Sequence, residues 1–414
     1  MSRKNYKRLG DYIQLVDVRN VGHEVKNLLG LSISKKFISS VANIIGTDME
    51  NYKIIRRNQF ACSTMQVRRD KKMPIALLQE VDEAIISQAY PIFEVKETNK
   101  LDPEYLMMWF SRSEFDREAC FHAVGGVRGS LEWEDFENLQ LPIPNIDKQK
   151  EIVKEYNVIQ NRIALNQQLI EKLEETAQAI YKQWFVEFEF PDENGKPYKC
   201  NGGEMLWCEE LGKEIPRGWE VGKIANLQLE ISDGNYSGKY PKPHEFIKKG
   251  VPFIRGVDFE NKTINPRNLI FISETKHNEL KKGHLKKGDV LITTRGASIG
   301  KFAYVTDEFV SKNINSQLIR INGKSLYSNF YLGCMISTNT FTNLFESYST
   351  GSAQPQLPVK NFTEIDVIVP ENKIVKNFDR FRILIDFFLL KSQESQKLTE
   401  LKDLLLAKLA TGEG

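Results

Sequence analysis

The sequence predicts an α+β protein in which an α/β domain occurs twice and a long helix follows each copy. Three observations predict this fold class: the 414 residues exceed what one core usually organises, similar blocks occur in both halves, and two long runs show helical periodicity without Pro or Gly. With 41% hydrophobic and 27% charged residues, the composition excludes disordered, collagen-like and low-complexity chains.

The repeat is clearest at the end of each α/β domain. The blocks 124–144 and 350–370 align without a gap, so that Leu131 corresponds to Leu357 and both blocks end at a proline. An internal repeat of this length indicates that each half is a complete structural unit. We therefore expect the same strands and helices in the same order in both halves.

Shorter patterns predict the elements inside each domain. The runs PIFEVK, GDVLITT, GKFAYVT and IDVIVP alternate or are rich in β-branched residues and predict strands. Asp102 followed by Pro103 predicts the N-cap and first position of a short helix. A looser repeat pairs Gly10 in RLGDYIQL with Gly222 in EVGKIANL.

The long helices are predicted by apolar residues that recur at steps of three and four, the heptad pattern of a coiled coil. The first series is Ile152, Tyr156, Ile159, Ile163, Ile170, Leu173, Ala177, Ile180 and Trp184, and the second is Ile374, Phe378, Phe381, Ile385, Phe388, Leu398, Leu401 and Leu405. Each run of about 40 residues would be about 60 Å long. Each helix can pack on its own domain, but an antiparallel coiled coil is favoured because that length exceeds a small domain. Antiparallel pairing would place the polar residues that interrupt the two apolar series, Asn166, Ser392 and Ser395, at nearly the same height along the coiled coil.

These patterns divide the chain into five segments, with a Gly- and Pro-rich linker between the halves. The predicted segments are a first α/β domain at 1–144, a helix at 145–190, the linker at 191–214, a second α/β domain at 215–370 and a helix at 371–414.

Charge is distributed unevenly over these segments, although the whole chain has a net charge of only +2. Residues 151–214 carry 7 basic and 13 acidic side chains, whereas residues 215–370 carry 20 basic and 14 acidic ones. Basic clusters after equivalent strands, QVRRDKK in the first half and TRGASIGK in the second, suit phosphate and base contacts. The alternative is that they are solvated loops.

Other sequence features bear on location and redox state. The most apolar window, 381–390, is far shorter than the roughly 20 residues of a membrane helix. The start MSRKNYKRLGDY lacks an apolar run, so no signal peptide is expected. The five cysteines show no CxxC spacing. These features favour a cytoplasmic protein.

The sequence contains only imperfect matches to the motifs of known enzymes. GASIGK has three residues between its glycines and Phe302 after its lysine, so it lacks the spacing and the magnesium-binding hydroxyl of a phosphate loop. A tight connection between strands is the better interpretation of Gly296 and Gly300. Asp82, Glu94 and Lys96 imitate a metal-dependent nuclease, which stays open as the alternative function. No metal-ligand spacing of histidines or cysteines occurs, so no metal site is predicted.

The chain resembles the specificity (S) subunits of type I restriction-modification systems. The blocks that carry the resemblance are NQFACSTMQVRRD, DEAIISQAYPIFEV, AIYKQWFVEFEFP, GDVLITTRGASIGKFAYV, GSAQPQLPVKNFTEIDVIVP and LLLAKLATGEG. The resemblance implies two target recognition domains that each read half of a split double-stranded DNA sequence, with the paired helices as spacer.

The resemblance also implies what surrounds the chain. Two methyltransferase (M) subunits would dock on the helices and methylate adenine, and restriction (R) subunits would join them. S-adenosylmethionine, ATP and Mg²⁺ are expected in those partners, with no cofactor and no catalytic residue in this chain. A coiled-coil assembly scaffold without a DNA role is a further alternative.

Candidate DNA contacts lie in the two basic loops and in the GSAQPQL and GGVRGSL loops. They are Ser63, Gln66, Arg68, Arg69 and Arg128 in the first domain, and Thr294, Arg295, Ser298, Lys301, Gln354 and Gln356 in the second. Arginine suits the guanine edge and glutamine the adenine edge. The same loops can instead contact phosphates, or the two glutamines can be ordinary loop residues.

Overall fold

The computed structural model describes residues 6–40, 49–65, 67–125, 129–236, 238–351 and 355–409. The chain forms two compact units, the first from 1–163 with 397–414 and the second from 164–396. Each unit thus combines one α/β region with portions of both long helices. The predicted positions 66, 128 and 354 lie outside the described residues.

Among the residues that the structure describes, the first unit contains ten strands and the start of the long central helix. The strands are β1 (Tyr6–Arg8), β2 (Ile13–Val16), β3 (Leu29–Leu31), β4 (Phe37–Ser39), β5 (Lys53–Arg56), β6 (Phe60–Cys62), β7 (Ile75–Leu77), β8 (Glu83–Ile86), β9 (Ile92–Val95) and β10 (Gln140–Pro142). The helices are α1 (Val67–Asp70), α2 (Pro103–Phe110), α3 (Ser113–His122), α4 (Trp133–Asn138) and the start of α5 (Ile146–Phe185).

The centre of the first unit is a four-stranded antiparallel sheet in the order β2-β9-β6-β7. In its inner strands, β9 and β6, side chains are buried or half-buried on both faces, whereas Leu15 of the edge strand β2 is exposed. On one face, Phe60 stacks on Phe93 at 4.9 Å and packs with α2 and α4. Asp102 caps α2 by accepting from the Glu104 amide at 2.8 Å, which confirms the predicted N-cap.

The second unit contains the remaining strands and helices. The strands are β11 (Met205–Cys208), β12 (Lys213–Pro216), β13 (Glu220–Lys223), β14 (Glu230–Asp233), β15 (Val251–Ile254), β16 (Phe259–Glu260), β17 (Thr263–Ile264), β18 (Ile270–Ile272), β19 (Val290–Thr293), β20 (Phe302–Tyr304), β21 (Asn313–Ile314), β22 (Leu318–Asn322) and β23 (Asp366–Val369). The helices are α6 (Glu274–Glu279), α7 (Asn329–Ile336), α8 (Asn339–Ser347), α9 (Val359–Thr363), α10 (Asn372–Phe378) and the first part of α11 (Ile383–Lys408), which ends in the first unit.

The second unit repeats the sheet of the first. Its strand order is β14-β22-β19-β20, and β13 pairs with β23 as β1 pairs with β10. The Leu131 amide donates to the Thr64 carbonyl at 2.9 Å, and the Leu357 amide donates to the Thr294 carbonyl at the same distance. The predicted repeat and the match of Leu131 with Leu357 are thereby confirmed.

One part of the predicted alignment is wrong. Leu9 donates to the Leu139 carbonyl and Ile224 donates to the Ile365 carbonyl, so Leu9 corresponds to Ile224. Gly10 therefore lies in the 3-10 turn after β1, whereas Gly222 lies inside β13. The sequence alignment of this short stretch matched the two glycines by residue type, whereas the strand register is defined by the backbone hydrogen bonds.

The first long helix is confirmed as one continuous element, α5, of 40 residues. The second predicted run is interrupted, because a 3-10 turn at Asp379–Arg382 separates α10 from α11. Residues three apart eclipse in a 3-10 turn. Accordingly Phe378 and Phe381 both contact the Trp184 ring, at 5.5 and 5.6 Å between centroids.

The two helices pair in opposite directions. In the first unit, Ile152 near the start of α5 shares a core with Leu406 near the end of α11. In the second unit, Ile170 and later residues of α5 share a core with Ile385 near the start of α11. The predicted antiparallel pairing is confirmed, but Leu401 is 51% exposed and does not belong to the seam. No helix of the described residues is long and apolar enough to span a bilayer.

Candidate nucleic-acid interface

The connection from β19 to β20 is a tight turn, as predicted from its glycines. Gly296 and Gly300 have φ of 70° and 83°, a region that residues with a Cβ rarely adopt. Thr294 is buried, and its hydroxyl donates to the Gln317 carbonyl at 2.9 Å. The Lys301 ammonium donates to the Phe259 carbonyl at 2.6 Å. Both side chains hold the loop in place.

Two of the predicted loops of the second domain meet at this turn. Arg295 forms an antiparallel bridge with Gln356, and the Gly296 amide donates to the Pro355 carbonyl at 3.0 Å. Arg295 is exposed and Gln356 is half-buried, and Ser298 Oγ donates to the Arg295 carbonyl at 3.4 Å. The backbone thus brings one guanidinium and one carboxamide together at the end of the sheet.

Much of the lysine cluster in this unit is balanced by nearby carboxylates. Lys286 lies 2.7 Å from Glu230, and Lys282 lies 3.3 Å from Asp233. Hydrogen bonds from Lys286 and Arg320 lower the pKa of Glu230 to about 2. The excess positive charge of the second domain is therefore partly used inside it, and the count of lysines overstates what remains for a phosphate backbone.

The arginines of α1 in the first unit also have local partners. Arg68 donates to the Ala123 carbonyl at 2.6 Å and to the Gly125 carbonyl at 3.1 Å. Arg69 lies 2.6 Å from Asp70. Ser63 continues the sheet, because its amide donates to the Pro74 carbonyl at 2.8 Å. Arg68 thereby anchors the loop that follows α3.

The structural equivalent of Arg295 is Met65, a position that the sequence comparison missed. Thr64 corresponds to Thr294 through the hydrogen bonds described above, so the next residues correspond as well. Arg68 and Arg69 do follow the strand equivalent to the one before Arg295, but they lie further along the chain because α1 lengthens the connection between β6 and β7. Met65 is exposed although it follows a buried strand, and an apolar residue at such a place could have drawn attention to this position.

The three residues of the nuclease alternative have separate roles. Asp82 pairs with Arg57 at 2.9 Å, and Glu94 accepts from Gln14 at 2.8 Å. The Lys96 ammonium donates to the Gly10 carbonyl at 2.9 Å. Among the described residues, no group of three or more His, Cys, Asp or Glu side chains can hold a metal ion. The geometry therefore gives the nuclease alternative no support.

Comparison with known proteins shows which family the chain belongs to. A family model described as the type I restriction modification DNA specificity domain matches residues 71–175 and 216–400. The chain belongs to this family. The model matches once in each half, in agreement with the repeated sheets.

Relatives and solved structures agree with membership of the specificity family. The type I restriction enzyme HindI specificity subunit of Haemophilus influenzae is 23% identical over 92% of each chain. The MjaIX specificity subunit of Methanocaldococcus jannaschii is 22% identical over 75% of this chain and 68% of its own length. The crystal structure of an S subunit from M. genitalium superposes with a TM-score of 0.58 at 15% identity, covering 99% of this chain and 97% of that one. This last likeness confirms the fold.

Proposed function

We propose that this chain is the DNA specificity subunit of a type I restriction-modification complex, with each α/β domain reading one half of a split target. The observation that carries the proposal is one sheet built twice with different loops at the same end. A duplicated scaffold with unlike loops suits two unlike half-sites. The domain boundaries proposed are those of the sequence, 1–144 and 215–370.

In the second domain, Arg295 and Gln356 are the proposed base-reading pair. An exposed guanidinium can bond the O6 and N7 atoms of guanine, and a carboxamide can bond N6 and N7 of adenine. The side chains of Thr294, Ser298 and Lys301 keep the loop rigid, which reduces the ordering that binding requires. In the first domain, Arg68 and Arg69 border the equivalent surface.

The methyltransferase subunits are proposed to dock on exposed apolar residues of the long helices. On α11, Ile383, Phe387 and Leu390 are 54%, 46% and 54% exposed at steps of four and three. On α5, Val158 and Leu165 are 64% and 57% exposed, seven residues apart. Such stripes are the usual contact of a helix with a partner. Restriction subunits would join that complex.

The chemistry is assigned to the partners. S-adenosylmethionine, ATP and Mg²⁺ would be bound by the methyltransferase and restriction subunits, and this chain would supply recognition and scaffolding in the cytoplasm. The proposal needs no catalytic residue here, and the local bonds of Asp82, Glu94 and Lys96 agree with that.

Methylome sequencing tests the recognition role. Single-molecule sequencing of host DNA should show a split methyladenine motif that disappears when this gene is deleted and returns with its expression. The Arg295→Gln variant should change one half of the motif and leave the other unchanged. An unaltered motif in the deletion strain would refute the proposal.

Docking is tested separately with the purified methyltransferase subunit. Phe387→Ser and Leu390→Ser should each weaken its binding by about tenfold, because each removes a large exposed apolar side chain from the stripe. Val257→Ser removes a 79% exposed apolar residue outside the long helices and is the matched control. Equal binding by all three variants would contradict the docking surface.

A further inference from the structure

In the first unit, three exposed apolar residues, Met65, Phe121 and Val124, lie on segments that the backbone brings together beyond the sheet, because Leu131 bonds to Thr64 and Ser130 bonds to Val124. We call these three residues the apolar patch. These side chains are 49%, 80% and 55% exposed. Met65 precedes α1 by two positions, while Phe121 lies at the end of α3 and Val124 just beyond it. The Cys120 thiol donates to the Val67 carbonyl at 3.4 Å, which fixes the end of α3 against α1.

The equivalent positions of the second unit are polar. Phe121 in α3 corresponds to Ser347 in α8, because the blocks that follow these helices align without a gap. Val124 and Thr350 each pair antiparallel with the residue six positions later, so they correspond too. With Met65 opposite Arg295, three exposed positions are apolar in one unit and polar in the other.

The patch is not needed for the fold. The second unit forms the same backbone bonds with Arg295, Ser347 and Thr350 at these positions, and all three are exposed. Three exposed apolar side chains at one end of a sheet indicate a binding surface.

Cations border the patch. Arg69 and Lys71 are exposed four and six residues after Met65, and Arg69 also pairs with Asp70 at 2.6 Å. A ligand that fits must present negative charge around an apolar group. Duplex DNA does so in its major groove, where the C5 methyl of thymine is the apolar group among polar base edges and phosphates flank the groove.

We infer that the apolar patch of Met65, Phe121 and Val124 recognises thymine methyl groups in the half-site of the first domain. The inference rests on the proposed function, and it assigns different chemistry to the two readers. The second domain reads through hydrogen bonds of Arg295 and Gln356, whereas the first reads through apolar contact, with Arg69 and Lys71 near the phosphates.

Replacement of thymine by deoxyuracil tests this directly, because it removes only the methyl group. The experiment uses the complex of this chain with its methyltransferase subunit and duplexes carrying the split target. The half-site of the first domain is the one that Arg295→Gln leaves unchanged. Uracil there should weaken binding by about fourfold per contacted methyl, and uracil in the other half-site should have no effect.

Variants connect the effect to the patch. With Phe121→Ser or Met65→Ser, the thymine and uracil duplexes should bind equally. Val21→Ser, which removes a 69% exposed apolar residue of the same unit, should keep the fourfold difference. Serine occurs naturally at the position equivalent to Phe121, so the fold should tolerate the change.

The outcomes separate the inference from the proposed function. Equal binding of thymine and uracil duplexes by the unaltered complex, or a first half-site without an A·T pair, would overturn the inference and leave the specificity role intact. A methyl effect that persists in both patch variants would also overturn it. A complex that recognises no split sequence would remove the proposed function and the inference together.

Discussion

Each sheet has a cluster of three polar side chains at the same positions, but the charges of the side chains differ between the two clusters. The first unit has Gln14, Gln59 and Glu94 there, and the second has Glu230, Asp289 and Asn322. In both units the middle residue caps a turn by accepting from the amide three residues earlier, at 2.8 and 2.6 Å. One carboxylate is held by two neutral amides in the first unit, whereas the second unit needs cations for its two carboxylates.

This difference shows that one fold can hold different charge patterns. Arg320 of the second unit corresponds to the buried Ile92 of the first, and its guanidinium lies 3.1 Å from Asp289. The basic excess of the second domain is thus partly structural. In the first unit the equivalent position is the apolar Ile92, so no basic residue is used there. The modest net charge of this unit therefore says little about the charge on its surface.

Removal of Arg320 should have the largest effect on stability. Arg320→Met leaves the buried Asp289 without its cation, and loss of one partner of a buried pair costs about 3–5 kcal/mol. Urea unfolding of the purified chain should show this loss in the transition of the second unit. The double variant with Asp289→Asn should recover part of it, and a loss below about 1 kcal/mol in the single variant would contradict the buried-pair assignment.

Acid should destabilise the second unit through Glu230. Its folded pKa is lowered from 4.5 to about 2 by hydrogen bonds from Lys286 and Arg320. A lowered folded pKa means that the contribution is present above pH 4.5 and is lost as the pH falls towards 2.

The difference between wild type and Glu230→Gln isolates this contribution. Burial raises the pKa of Asp289, which acts in the opposite direction and is present in both proteins. Stability of the two proteins should therefore differ above pH 4.5 and converge below it. Parallel curves from pH 6 to 2 would contradict the predicted role of Glu230.

Glu94→Gln in the first unit should be mild by comparison. The second unit already has a neutral amide, Asn322, at this position, and the bonds from Gln14 and Gln59 need only an acceptor. A change of about 1 kcal/mol or less is expected from the loss of charge-assisted bonding. Chemical unfolding measures it, and a loss comparable to that of Arg320→Met would mean that the two clusters are not equivalent.

The sequence predicted features that repeat locally and missed those that depend on an insertion. The cap at Asp102, the continuous α5 and the match of Leu131 with Leu357 follow from short-range patterns and are confirmed. Met65 was missed because α1 lengthens one loop, so that residue type drew attention to the arginines. The break at Asp379–Arg382 has no Pro or Gly signal, and in the structure it accompanies the packing of Phe378 and Phe381 on one indole, a tertiary contact that a local pattern does not reveal.

The smallest expected effect concerns the helix pair within the second unit. Asn166 and Ser392 are 2% and 5% exposed, and among the described residues neither the Asn166 amide nitrogen nor the Ser392 hydroxyl has a hydrogen-bond partner. An unsatisfied buried polar group costs stability, and a polar residue in a coiled-coil seam can fix its register. Asn166→Leu should therefore raise stability by up to about 1 kcal/mol in urea unfolding. Ile152→Val, in the helix pair of the first unit, is the control and should lower it by about 1 kcal/mol. A loss of stability in Asn166→Leu would mean that the Asn166 amide makes a hydrogen bond worth more than the cost of burying it. The helix seam of the second unit would then be held by polar contacts, whereas the seam of the first unit is apolar.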